Sequence, residues 1–488
     1  MAERGPCVKD SVDIADSARV LRSPLIVSFG IALLGIVFLA RFTVRSWTGF
    51  DGDEFIFAIV GRDVLDGHVP YSLVFDNKPP GLVYVFALTE AVFGRTTTSL
   101  HTLSGVSAFA IAALAYFEAR DRNVPRPTAL GIAALLSTLV VTLDGWAAMS
   151  ELIACPGLMI ANRLLIRPDH STARTMAAGA LMGLVCQVTY LAVPVVGITA
   201  LAVAATSYRS TMARLRVLAL IGIAFAGATL LVWSPQIATG NLVPMLQAQF
   251  AYHAHYRGPF SPGDFTTRFL LPALALAATF LSVVPVSIQS SDRPAALILV
   301  LQLVGAVTAT VASNRFYLHY LLLTLPAVSG LLPILLAGNE RRSWSRATIV
   351  LLCLSALYLT IELARIPSRW IGGLFDVLVA SRVEQDVGRG RPVLMFNEAP
   401  TFYILSGSQP VTRYVFARHY MPTCSDSDTM EKPQRVLADG LKRRPALVLL
   451  GRECKPLETA ASTVAAAGYR FSGRVKLGPR QVDIYAPH

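Results

Sequence analysis

Apolar runs recur along the whole chain, separated by short connectors rich in arginine. A membrane-crossing helix needs about 20 mostly apolar residues, and about eleven segments approach that length. They are 24–44, 98–119, 128–143, 152–166, 176–189, 191–205, 217–233, 269–286, 295–312, 317–336 and 347–363. After residue 364 the pattern changes. "PVLMF", "ALVLL" and "QVDIYA" are short β-type runs, and "LETAASTVAAAG" has the spacing of an amphipathic helix closed by Gly468.

Loop charge orients the expected spans. Arg4, Lys9, Arg19 and Arg22 precede the first. Alternate connectors carry Arg120, Arg122 and Arg126; Arg163, Arg167 and Arg174; Arg209, Arg214 and Arg216; Arg293; and Arg341, Arg342 and Arg346. This positive-inside pattern puts the N-terminus in the cytoplasm. An odd number of spans then puts the C-terminus outside, in the periplasm or extracellular space. Three parts are expected: a cytoplasmic segment 1–23, a membrane domain 24–363 with an outer loop 45–97, and an extracytoplasmic α/β domain 364–488. Cys424 and Cys454 both fall in the last, where an oxidising compartment permits a disulfide; two free thiols are the alternative.

Composition agrees with the pattern. The 488 residues are 53% hydrophobic and only 15% charged, against roughly 25% charged in soluble chains. The net charge of +12 is accounted for by cytoplasmic loops, so it does not call for nucleic acid. The six cysteines lack metal-site spacing. The N-terminus carries about twenty polar residues before its apolar run, unlike a secretory signal.

The outer loop interrupts this chain with acid. "FDGDEFIFAIVGRDVLDGHVPYSLVFDNKPPGL", 50–82, holds Asp51, Asp53, Glu54, Asp63, Asp66, Asp76 and Lys78. Phe55, Ile56, Ile59, Val60 and Val64 predict a short helix lying in the membrane interface and ended by Gly67. Asp51 and Glu54 have capping-box spacing, and Asp53 is a favourable charge at a helix start. Capping uses one or two acids, however, and three stand within four residues. Lys78 precedes Pro79-Pro80 and the start of the next helix, where a cation and exposed N–H groups form a phosphate site. The combination points to a carboxylate base beside an anionic leaving group.

"DGDEF…GRDVLDGHVPYS…FDNKPPGL" resembles the signature of GT-C fold glycosyltransferases that use lipid-linked sugars, the group of the protein O-mannosyltransferases and the lipid A aminoarabinose transferases. "SELIACPGLMIANRLL" at 150–165, "RFYLHYLLLTLPA" at 315–327 and "PTFYILSGSQPVTRYVFARH" at 400–419 are similar to their later motifs. The resemblance implies an α-helical polytopic membrane protein of GT-C type. Its implied activity is inverting transfer of a sugar from a polyprenyl-phosphate carrier to an acceptor hydroxyl of an envelope glycolipid, polysaccharide or protein, at the outer face of a bacterial inner membrane. It implies no cofactor and no metal.

Asp53 matches the family's catalytic acid, with Glu54 in support and Glu151 in the second acidic motif. Lys78 is the first candidate for the donor phosphate and Arg315 the second; an interfacial anchor is the alternative for Arg315. Substrate-binding candidates are Tyr71, Asp76, Tyr252, Tyr256, Arg257, Tyr317 and His319. His253 and His255 lack a third metal ligand nearby. Glu90, His101 and Gln187 read as hydrogen-bonded packing residues. A transporter or lipid-carrier flippase is the rival reading, but transporters place charge near the bilayer midplane, and here the acids gather at one outer edge.

Overall fold

The computed structural model describes residues 52–166, 171–252, 262–270, 293–313, 315–337, 373–398, 400–420, 432–451, 459–477 and 480–488, with single positions at 353, 357 and 360. The expected span 24–44 and nearly all of 269–286 and 347–363 lie outside these residues. So do Asp51, His253, His255, Tyr256, Arg257, Cys424 and Cys454.

The main helices among the described residues of the membrane part are labelled in chain order. They are α1 (Gly52–Leu65), α2 (Pro80–Phe93), α3 (Thr97–Asp121), α4 (Arg126–Thr142), α5 (Ser150–Ile166), α6 (Thr172–Cys186), α7 (Ala192–Ser207), α8 (Thr211–Ala238), α9 (Arg293–Ala312) and α10 (Leu325–Ala337). Local chemistry sets several starts. The side-chain oxygens of Thr96, Ser171 and Ser210 accept the N–H groups of Ser99, Arg174 and Ala213 at the heads of α3, α6 and α8. Pro80 opens α2, where its missing N–H costs nothing. The expected span 317–336 divides in two: a 3₁₀ run Leu318–Thr324 leads into α10.

Among the described residues, Thr97–Asp121, Thr211–Ala238, Arg293–Ala312 and Leu318–Leu336 are long and apolar enough to cross a membrane. Helix α8 leaves Ile223, Leu230 and Leu231 exposed at 65%, 57% and 71%. A face that apolar suits lipid and not water. The chain is a multi-pass membrane protein. Inside the bundle, Asn162 of α5 and Gln302 of α9 exchange both amide hydrogen bonds, at 2.8 and 2.9 Å, so neither buried amide goes unsatisfied.

Residues 392–487 carry a five-stranded sheet in the order β2-β1-β3-β5-β4. Strands β1 (Pro392–Phe396), β2 (Gln409–Pro410) and β3 (Leu447–Gly451) run parallel, and β4 (Tyr469–Leu477) and β5 (Arg480–Pro487) pair antiparallel. One apolar cluster runs from Phe55, Ile59 and Phe86 in the membrane part to Phe375, Val393, Met395 and Phe402 beside the sheet. The two parts share a core.

That shared core changes the reading of α1. An interfacial helix would expose one face, but Glu54 through Gly61 are buried all the way round. Helix α2 covers one side, with Phe57 and Phe86 meeting edge to face at 5.4 Å. The short helix Thr401–Ser406 lies against another. The segment reads as amphipathic because its polar residues collect at its ends. Gly67, at φ +91°, ends it as expected.

Candidate active site

The segment 66–79 returns from α1 to α2, and its last residues are fixed by a polar clamp. Asp76 is fully buried, and its Oδ1 accepts the N–H groups of Asn77 and Lys78 at 2.7 and 3.3 Å. Tyr71 donates its hydroxyl hydrogen to the Lys78 carbonyl at 2.6 Å. Gln249 donates from Nε2 to the Tyr71 hydroxyl at 2.8 Å and reaches the same carbonyl at 3.4 Å. Tyr190 in turn bonds Gln249 Oε1. Both backbone groups of Lys78 are thus held from outside the residue.

The head of α2 is pinned just as closely. Leu82 donates its N–H to the Gln187 carbonyl at 3.0 Å. A Cβ on Gly81 would stand 2.5 Å from that oxygen, so this approach needs glycine. Gln187 is further held by Trp233, whose Nε1 donates to its Oε1 at 2.7 Å.

Acids surround the Lys78 ammonium. Burial alone would discharge it, but the carboxylates of Glu151, Asp53 and Asp76, with the Tyr317 phenol, hold its pKa above the ordinary value. Lys78 is therefore a half-buried side chain whose positive charge its acidic neighbours favour. Residues far apart in the chain, on α1, α5 and the 66–79 segment, converge on it. Glu151 is fully buried; its Oε1 accepts from the hydroxyls of Ser150 and Thr189, both at 2.9 Å. Its Oε2 makes no hydrogen bond and lies 4.0 Å from His319 Nε2. Asp76 Oδ2 likewise makes none. Burial pushes the Asp76 carboxyl up to about 7, with Lys78 and the two backbone N–H groups opposing.

A third wall comes from 315–320. Tyr317 stacks on His319 with ring centroids 5.5 Å apart, and His319 meets Tyr320 edge-on at 4.8 Å. Arg315 acts electrostatically on Tyr252 and Tyr320. Two bulky residues here hold left-handed backbone, Tyr71 at φ +71° and Phe316 at φ +48°. Such residues cost about 1–3 kcal/mol each and persist where the surroundings over-determine them. Both sit in walls of this one cluster.

The expected residues divide by position. Asp53, Asp76, Lys78, Glu151, Tyr317 and His319 come together, with Arg315 at their edge. Glu54 takes another post: it is fully buried and its Oε2 accepts the N–H of Ala148 at 3.0 Å. Tyr71 and Tyr252 are 2% and 1% exposed, and Phe75 packs on Tyr252 at 5.3 Å. Both build the wall and do not surface within it. Glu90 binds Arg62 of α1 at 3.1 Å through each carboxylate oxygen. Among the described residues, no group of three or more His, Cys, Asp or Glu side chains is arranged to hold a metal.

Sequence reading did not single out Gln249, Thr189 or Ser150. Gln249 left a trace: with Gln247 it interrupts the apolar run "LVPMLQAQF". It lies in a π-helical turn, Gln247–Ala251, a distortion frequent at functional sites. Thr189 left none, because a lone threonine after a span resembles any other.

No protein-family model matches the sequence, and no curated protein matches it. Solved structures do. The chain is similar to ArnT from Cupriavidus metallidurans bound to undecaprenyl phosphate, with a TM-score of 0.66 and 15% identity over 94% of this chain and 97% of that one. It is similar to the same protein in the apo state, with a TM-score of 0.67 and 14% identity over 97% and 98%. Likeness at this identity speaks to architecture: the chain shares the fold of these ArnT structures over nearly its whole length, the type of fold its motifs implied.

Proposed function

We propose that the chain is an inverting glycosyltransferase, taking a sugar from a polyprenyl-phosphate carrier and placing it on an acceptor hydroxyl at the outer face of the bacterial inner membrane. One observation carries the reading: a positively charged, partly buried Lys78 beside the start of α2, with the carboxylates of Glu151, Asp53 and Asp76 acting on it. The likeness to a protein solved with undecaprenyl phosphate supports the class of donor.

In this reading Lys78 and the first turn of α2 hold the donor phosphate, and Arg315 approaches from the opposite wall. Asp53 takes the proton of the acceptor hydroxyl as its oxygen attacks the anomeric carbon. The bond from that carbon to the phosphate oxygen breaks on the far side, and polyprenyl phosphate leaves with its electron pair. Charge grows on the phosphate as this happens, so a fixed ammonium favours the transition state over the bound donor. Glu151, held by Ser150 and Thr189, keeps one oxygen for sugar hydroxyls. The acceptor is an envelope glycolipid, polysaccharide or protein. About eleven spans, a cytoplasmic N-terminus and an extracytoplasmic sheet domain at 364–488 complete the proposal.

The test uses purified protein in lipid nanodiscs, a synthetic polyprenyl-phosphate sugar and an envelope lipid extract. Asp53→Asn is expected to lose transfer by at least about 100-fold while still binding donor, and Lys78→Met to lose donor binding. Full transfer by Asp53→Asn would remove Asp53 as base. Sugar accumulation in sealed vesicles without product would favour a transporter.

A further inference from the structure

The carboxylate of Glu151 is answered on one side only. Ser150 and Thr189 both give their hydroxyl hydrogens to its Oε1. Its Oε2 is buried and accepts no hydrogen bond among the described residues. A buried carboxylate oxygen without a donor is costly, so a donor close to it has an effect. His319 Nε2 stands 4.0 Å away, about 1 Å beyond a hydrogen bond.

The backbone around His319 is shaped for this meeting. Leu318–Thr324 is a 3₁₀ run of seven residues, whereas runs beyond three or four are uncommon. Cys155, one turn along α5 from Glu151, donates its thiol hydrogen to the Leu322 carbonyl at 3.2 Å and fixes the run against α5. From that anchor back to His319 is three residues, one full 3₁₀ turn. Wound as an α-helix, the same three residues would leave His319 about 60° away from this position. His319 is itself buried, and Tyr317 and Tyr320 hold its ring on two sides.

Lys78 also acts on Glu151, and of the carboxylates acting on Lys78 that of Glu151 is the strongest. An ammonium drawn to a carboxylate is less available to a phosphate. Asp76 cannot adjust to relieve this. Its Oδ1 holds two backbone N–H groups, and Phe75 just before it donates its N–H to the Arg413 carbonyl at 2.7 Å. Glu151 can, through Oε2.

We propose that His319 is a positioning residue: its Nε2–H answers the second oxygen of Glu151, which draws that carboxylate off Lys78 and leaves the ammonium for the phosphate of the donor. A carboxylate oxygen has two acceptor positions, so His319 takes one and a sugar hydroxyl the other. The inference rests on the reading of Lys78 as the group that holds the donor phosphate.

The test is binding of a polyprenyl methyl phosphodiester, which carries the donor's charge without its sugar, to the full-length protein in nanodiscs. His319→Phe keeps a ring between Tyr317 and Tyr320 and removes the N–H; it is expected to bind at least fivefold more weakly. His319→Met, which also lacks the donor, makes the same comparison if the phenyl ring prevents folding. His319→Gln restores an amide N–H near the Nε2 position and should bind within twofold of wild type. Glu151→Gln/His319→Phe should recover most of the loss, because a neutral amide no longer draws Lys78. Wild-type affinity in His319→Phe, equal losses in the Phe and Gln variants, or a loss undiminished in the Glu151→Gln background would each overturn the role of His319. Lys78→Met separates the two readings. Its expected loss of the probe, with His319→Phe unchanged, would sink the positioning role alone; wild-type binding by Lys78→Met would sink the phosphate reading and this inference with it.

Discussion

Tyr71 gives its phenolic hydrogen to the carbonyl of Lys78, 2.6 Å away, so a residue seven positions upstream fixes the backbone of the site's lysine. Removing that hydroxyl tests whether placement of Lys78 matters. Tyr71→Phe leaves the carbonyl with only the longer 3.4 Å contact from Gln249. The expected loss of stability is about 1–2 kcal/mol. Donor KM should rise about three- to tenfold with a smaller change in kcat. Thermal unfolding and donor titration measure the two separately, and a stability loss with unchanged KM would confine Tyr71 to packing.

Asp76 gives a prediction in pH. Its carboxyl titrates at about 7 in the folded chain, against 3.8 for a free one. The folded state therefore holds a proton that the unfolded state has released between those values, so stability falls as pH rises through that window. The contribution is complete below about 4 and gone above about 7. Asp76→Asn keeps a carbonyl oxygen for the Asn77 and Lys78 N–H groups and cannot ionise. The midpoint of thermal unfolding should decline from pH 5 to 7 more steeply in the wild type than in the variant. Parallel profiles would show that Asp76 does not titrate there.

How far the sequence reached depended on the range of each signal. The apolar runs of α3 to α9 are local, and so were legible; the caps at Thr96, Ser171 and Ser210 were not singled out. The Asp53 and Lys78 positions were legible through the spacing of one loop. What bound them was not. Gln249 lies 171 positions from Lys78, and Thr189 lies 38 from Glu151; no periodicity records such meetings. Helix α1 was misjudged for the same reason, since what covers its second face comes from residues 401–406, more than three hundred positions away.

Glu54 separates scaffold from chemistry. Glu54→Ala orphans the buried N–H of Ala148, at an expected cost of about 1–3 kcal/mol. Glu54→Gln retains an acceptor and should keep both stability and most transfer activity. A loss of transfer in Glu54→Gln as deep as that of Asp53→Asn would place its charge in the reaction instead.

Gly81 tests the head of α2. Alanine there drives a methyl to 2.5 Å from the Gln187 carbonyl oxygen, and the backbone must part to admit it. The expected cost is about 1–3 kcal/mol, with weaker donor binding as the first turn of α2 shifts. Differential scanning fluorimetry with and without polyprenyl phosphate checks both; wild-type values would mean that the helix head yields freely.

The bond from Phe75 to Arg413 has a consequence for anyone treating the sheet region as an exchangeable module. Phe75 is sandwiched between Tyr252 and Tyr414, and its own amide is satisfied by Arg413. A chimera that grafts a foreign C-terminal region onto this bundle must import the 411–416 stretch with it. Otherwise it strips one side of the wall directly behind Asp76. Swaps made at the obvious boundary, where the apolar runs end, would cut through the site's foundations while leaving every acid in place.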